Sequence, residues 1–127
     1  MNPKKQENLK KALLSLEEAL SLPIQNKRDI AGIIQNFEFT YELSWKFLKA
    51  YLADRGTLST TPKDTLSKAY QQDLISDEQT WLDIIEDRNL SVHTYDEALA
   101  EQLVERIQKR YINIFLDLKT LFGHFEK

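Results

Sequence analysis

The chain contains no cysteine, and only three glycines, three prolines and two histidines among its 127 residues. Without cysteine there is no disulfide framework, no thiolate metal site and no thiol nucleophile, a composition that suits a reducing cytoplasm. So few glycines and prolines leave little to interrupt a helix, and no useful period-2 alternation argues for strands. The longest apolar runs are far too short for a membrane span. Met1-Asn2-Pro3-Lys4-Lys5 leads into a charged amphipathic stretch, not the apolar core of a secretory signal, so export is not expected and the location is read as cytoplasmic. Internal repeats and low-complexity tracts are also lacking.

What is present is an ordinary globular balance, with 42% hydrophobic and 29% charged residues. That length and composition argue for one domain over residues 1–127, able to bury a core without staples. The net charge of −3 is unevenly spread: residues 73–101 carry nine acids against the single base Arg88, a local sum of −8 that leaves +5 for the rest. A pI near 5.4 lacks the broad basic footprint of a general nucleic-acid binder, and DNA is not an expected partner. A basic partner, or a site assembled from more than one chain, fits better.

Helix punctuation falls at regular places. Asn2-Pro3 offers an N-cap and a proline at the first helical position, and Leu9, Leu13, Leu16 and Leu20 then recur at helical steps up to Pro23. Asn26 opens a second helix that meets no breaker until Arg55, with Gly56 suited to a left-handed C′ position. Its Ile30, Ile34, Phe37, Tyr41, Ser44, Leu48 and Tyr51 form a heptad-like stripe, while Ile33, Phe39, Leu43, Trp45 and Phe47 add apolar surface elsewhere. Such girth suits a central helix, a dimer interface, or both. Thr61-Pro62-Lys63-Asp64 starts a short third helix, Ser76-Asp77-Glu78 a fourth, and Tyr95-Asp96-Glu97 a last one running through Leu99, Leu103, Ile107, Tyr111, Ile114, Leu118, Leu121 and Phe125. The expected fold is all-α: an antiparallel four-helix-type bundle with an additional short helix, homodimeric.

The chemistry concentrates in Arg88-Asn89-Leu90-Ser91-Val92-His93-Thr94-Tyr95. Arg grips phosphate with a planar fork, His moves protons near neutral pH, and Tyr offers a hydroxyl that can bond or be modified. At 100° per residue Arg88 and His93 lie about 140° apart, so they converge only where the helix ends or bends. The junction between the fourth and fifth helices supplies such a bend. Residue types alone leave two readings: a phosphate-handling set, or a polar capping knot in which Arg88 pairs with Asp83, Asp87 or another nearby acid and His93 with Tyr95 or a carbonyl.

The spacing Arg-x4-His-x-Tyr, with Asn directly after Arg, resembles the signature of the HEPN superfamily. More closely, the chain is similar to the HepT-like toxins encoded beside a minimal nucleotidyltransferase, also described as nucleotidyltransferase substrate-binding proteins. The likeness extends over the whole chain and includes the aromatic run Phe37-Glu38-Phe39-Thr40-Tyr41-Glu42-Leu43-Ser44-Trp45-Lys46. The resemblance implies a metal-independent endoribonuclease without cofactor, working in a cleft between two protomers. Arg88 would hold the scissile phosphate, His93 act as general base or acid, and Asn89 orient the phosphate or the ring. A partner nucleotidyltransferase antitoxin would neutralise it by AMPylation of Tyr95. The alternative is a non-catalytic substrate-binding subunit of a two-component nucleotidyltransferase.

Other candidates are weaker. Glu38 and Glu42, four apart, could pair at a metal, but no Glu-x-x-His accompanies them and such acids are common on solvated faces. Phe37, Tyr41 and Trp45 could stack a base, though aromatics at helical spacing more often form a core or an interface. His124 reads as a solvated end, and Lys4, Lys5, Lys10 and Lys11 mix with Glu7, Glu17 and Glu18 on one helical surface.

Overall fold

Helix caps begin where the chain can satisfy free backbone N–H groups from its own side chains. In the structure, a computed structural model describing residues 3–123, α1 spans Lys4–Ser21 and α2 Lys27–Asp54. Pro3 occupies the N-cap of α1 without a side-chain bond, and the expected Asn2 cap lies outside the described residues. Asn26 caps α2 by accepting from the Asp29 N–H. At the far end Gly56, at φ 86°, turns the chain left-handed; its N–H donates to the Ala53 carbonyl and that of Thr57 to Leu52, a Schellman closure. Thr61 and Pro62 open α3 (Pro62–Gln71) and Asp77 opens α4 (Glu78–Leu90).

After a 3₁₀ turn at Ser91–His93, Asp96 caps α5 (Glu97–Arg106). The last rod is not uniform. A π-helical turn at Ile107–Tyr111 separates α5 from α6 (Ile112–Leu116), and a 3₁₀ turn follows at Asp117–Leu121. The wider i→i+5 turn takes an extra residue per revolution, so the buried positions step Leu103, Ile107, Tyr111, Phe115 and Leu118. The stripe therefore passes to Phe115 where the heptad pattern led to Ile114, which is only partly buried, and Leu99 faces outward. The stripe's Phe125 and the solvated-end reading of His124 lie outside the described residues.

No strand occurs among the described residues, and the molecule is a helical bundle. Ser15 bonds Asn36 while Thr40 reaches the Ala12 carbonyl, so α1 and α2 run antiparallel. Asp87 pairs with Arg106 and Asp83 with Arg110, so α4 and the last rod do too. α2 touches α1, α3, α4, α5 and α6, the central place its apolar girth suggested. The core closes around Phe37, whose ring centroid lies 5.9 Å from Tyr111 and 6.1 Å from Phe115. Among the described residues no helix is long and apolar enough to cross a membrane.

Candidate active site at the α4 to α5 junction

Arg88 follows Trp81 by seven residues and Ile84 by four, so it continues the stripe that buries both. That phase carries its guanidinium toward α2 at the end of the bundle, where Glu38 waits. Arg88 Nη1 lies 3.4 Å from Glu38 Oε2 and donates to Ser91 Oγ at 3.3 Å. The Ser91 hydroxyl in turn sits 2.6 Å from Glu38 Oε2 and 2.7 Å from the Arg88 carbonyl. Arg88 Nε is buried and has no hydrogen-bond partner among the described residues. The pairing with Asp83 or Asp87 considered from the sequence does not form, because both acids are taken from α5 and the π-helical turn.

Asp87 is buried and accepts both Nε and Nη2 of Arg106, at 2.7 and 2.9 Å, together with the Tyr111 hydroxyl. Burial first, then this bond to a carboxylate, pushes the Tyr111 phenol well above its usual range. The Asp87 bond raises the Arg106 guanidinium further still. Arg110 holds Asp83 at 2.8 Å and keeps that carboxyl below the usual carboxylate range. Lys27 pairs with Glu97. Three of the nine acids are thus met by cations outside residues 73–101, while Asp77 and Asp96 are occupied as caps. The surface is less negative here than the local sequence is.

The chain then closes its junction with its own bonds. Thr94 Oγ1 donates to the Ser91 carbonyl at 2.9 Å, and the Asp96 N–H donates to the His93 carbonyl at 3.2 Å. His93 and Tyr95 are left on the surface, Tyr95 at 83% exposure. Their rings meet edge to face at 5.9 Å, and the Tyr95 hydroxyl lies 3.4 Å from His93 Nδ1. Below them a cavity of ≈290 Å³ is lined by Asp87, Leu90, His93, Tyr95, Leu99 and Arg106, among others.

The site residues read from the sequence therefore fall into two attached pairs, Arg88 with Glu38 and His93 with Tyr95. No hydrogen bond or ion pair joins Arg88 to His93 among the described residues, and Asn89 is exposed without a bond to His93. Glu38, set aside from sequence as a solvated acid, proves to be the partner of Arg88; the available signal was the phase of Arg88 on the Trp81 and Ile84 stripe, which demands a partner from across the core. Glu42 turns away to Trp45 Nε1 at 3.2 Å and Lys46 at 3.8 Å. Phe37 and Tyr41 are buried and offer no face to a base. Burial, then the Glu42 carboxylate, pushes the Tyr41 phenol up to about 12, with Arg88 opposing.

Comparison with known proteins gives the family of the chain. The profile of the family described as nucleotidyltransferase substrate binding protein like matches residues 4–122. A protein of Haemophilus influenzae (strain ATCC 51907 / DSM 11121 / KW20 / Rd) named Probable ribonuclease HepT is 38% identical over 84 residues. That match spans 61% of this chain and 57% of the relative, little more than half its length. A crystal structure of a protein from Thermus thermophilus superposes with a TM-score of 0.82 at 31% identity, covering 91% of this chain and 98% of that one. The chain belongs to the nucleotidyltransferase substrate binding protein like family, as a HepT-like member of the HEPN superfamily.

Proposed function

We propose that the protein is a cytoplasmic, homodimeric, metal-independent endoribonuclease of a toxin-antitoxin module, silenced when a partner nucleotidyltransferase AMPylates Tyr95. The observation that carries this reading is the state of Arg88: its guanidinium is tethered through Nη1, and Nη2 makes no hydrogen bond among the described residues. A guanidinium N–H left free in this way is best met by an anion such as a phosphate oxygen, a charge-assisted bond of about 1.5–3 kcal/mol. The ribonuclease name of the Haemophilus relative supports the same chemistry. Exposed Leu90, Val92 and Leu99 beside the motif, with exposed Phe39 on α2, are apolar surface that a second copy would cover.

In this mechanism Arg88 neutralises charge growing on the scissile phosphate. His93, with Nδ1 beside the Tyr95 hydroxyl, takes the proton of the ribose 2′-hydroxyl on Nε2. The 2′-oxygen bonds to phosphorus, the bond to the 5′-oxygen breaks, and the second copy of His93 in the cleft returns a proton to that leaving oxygen. Asn89 steadies the phosphate. For control, the Tyr95 oxygen attacks the α-phosphorus of ATP, pyrophosphate leaves and the phenolic proton is lost. The adduct then hangs on the atom that touches His93, where its bulk and negative charge exclude RNA.

The test is expression of the chain alone in a bacterium, scoring growth and RNA integrity against Arg88→Ala and His93→Ala. Toxicity and RNA breakage confined to the unaltered chain are expected, and equal, harmless behaviour of all three sinks the nuclease reading. The family description favours one second reading, a non-catalytic subunit presenting substrate to a nucleotidyltransferase. Tight complex formation with that enzyme, with no AMP added in the presence of ATP, would select it.

A further inference from the structure

Glu38 and Ser91 converge on one nitrogen of Arg88. Ser91 Oγ lies 2.6 Å from Glu38 Oε2 and 2.7 Å from the Arg88 carbonyl, and both oxygens can only accept, so the one hydroxyl proton goes to one or the other and not toward Arg88 Nη1. The Ser91 lone pairs are thereby turned toward Arg88 Nη1, 3.3 Å away, while Glu38 Oε2 itself stands 3.4 Å from the same nitrogen. One acid, 53 positions earlier in the chain, thus sets the serine and the guanidinium together. Both contacts fall on Nη1. The Nε–Nη2 edge, the side of the fork that makes paired bonds to a carboxylate or phosphate, has no partner among the described residues, and its Nε is buried. Arg88 Nη1 is given over to orientation, and Nη2, which makes no hydrogen bond among the described residues and is not buried, is left for a ligand.

We infer that Glu38 and Ser91 are positioning residues for Arg88, holding its guanidinium by Nη1 so that Nη2 meets the phosphate; this rests on the ribonuclease reading of the site. Neither residue touches substrate in this scheme. Freed of them, the Arg88 side chain samples several rotamers, and the fixed fork that distinguishes Arg from a mobile point charge is lost. Positioning of this kind acts on the transition state more than on binding, so its loss lowers kcat more than it raises KM.

The experiment combines arginine-labelled NMR of the full chain with RNA cleavage kinetics, for the unaltered protein, Glu38→Ala, Glu38→Gln and Ser91→Ala. In the unaltered chain the Arg88 Nη1 and Nη2 signals should be resolved, reporting hindered rotation, and should merge in Glu38→Ala and Ser91→Ala. Cleavage should fall at least tenfold in kcat in Glu38→Ala with KM changed under threefold, and Glu38→Gln, which keeps an acceptor oxygen, should recover part of it. Arg88 signals equally resolved in Glu38→Ala overturn the inference, as does a loss carried wholly by KM. Thermal unfolding of each variant separates these effects from a smaller folded fraction. If the unaltered chain cuts no RNA while the NMR pattern holds, the ribonuclease reading fails and the positioning of Arg88 stands.

Discussion

The Tyr95 hydroxyl lies 3.4 Å from His93 Nδ1, so the atom proposed to be modified and the imidazole proposed to transfer protons are neighbours. The proposed control therefore needs no conformational relay. A group bonded to Tyr95 stands directly against His93, on a side chain exposed enough to enter another enzyme's active site.

Tyr95→Phe removes the hydroxyl proposed to accept AMP and its contact with His93, and leaves the ring that packs edge-on. Incubated with the partner nucleotidyltransferase and ATP, the unaltered chain should gain mass in AMP units and the Phe variant none. Its RNA cleavage should stay within about tenfold, since one weak hydrogen bond contributes about 0.5–1.5 kcal/mol.

Asp87→Ala should be among the most damaging polar substitutions. Asp87 accepts from Arg106 twice and from Tyr111, and its removal leaves a guanidinium and a buried phenol unsatisfied. Breaking a buried pair costs about 3–5 kcal/mol, and the partial exposure of Arg106 lowers this to roughly 2–4 kcal/mol. Urea unfolding, with a shifted midpoint and an unchanged slope, measures it.

Phe37→Ala should cost about 3–5 kcal/mol, since Phe37 is fully buried and its ring meets both Tyr111 and Phe115. Phe39→Ala, on the exposed side of the same helix, should leave monomer stability nearly unchanged. Light scattering on Phe39→Ala reads the proposed self-association separately.

Alkaline pH should unfold the protein by way of its buried phenols. In the unfolded chain a tyrosine titrates near 10. In the folded chain burial raises Tyr41 to about 12 and moves Tyr111 up as well. Both hold protons in the folded state that the unfolded chain releases, so their contribution is complete below about pH 10 and is lost as pH rises from there toward the folded values. Tyr41→Phe should flatten the fall of stability between about pH 10 and about 12, measured by circular dichroism. At the acid end Asp77, kept low by the Thr80 N–H and hydroxyl, works in reverse: its contribution is present above about pH 4 and lost as pH drops through its folded value.

Local signals read well in this chain because their causes are local. Asn26, Thr61, Pro62 and Gly56 act through bonds or backbone angles within a few residues, and each sits where its chemistry required. The apolar girth of α2 suited a central helix, a dimer interface or both, and the fold shows the central place. The π-helical turn was not legible: Leu99 through Phe125 reads as a plain heptad, and only packing Tyr111 and Phe115 against Phe37 selects the wider turn. The charge sum over residues 73–101 was accurate as arithmetic and misleading as electrostatics, because Lys27, Arg106 and Arg110 arrive from outside that window.

By itself the sequence determined where the first four helices lie, the caps at Asn26, Thr61 and Gly56, and the place of Arg88, His93 and Tyr95 at the end of one helix and the start of another. Spacing along a helix dictates which residues share a face, and that needs no tertiary information. Which acid meets which base was decided only by the fold. Arg88 lies beside Asp87 in the chain yet pairs with Glu38, because the stripe it shares with Trp81 and Ile84 turns it toward α2, while Asp87 is turned toward Arg106 and Tyr111. Charges only ångströms apart across a packed core outweigh neighbours in sequence that a helix points the other way.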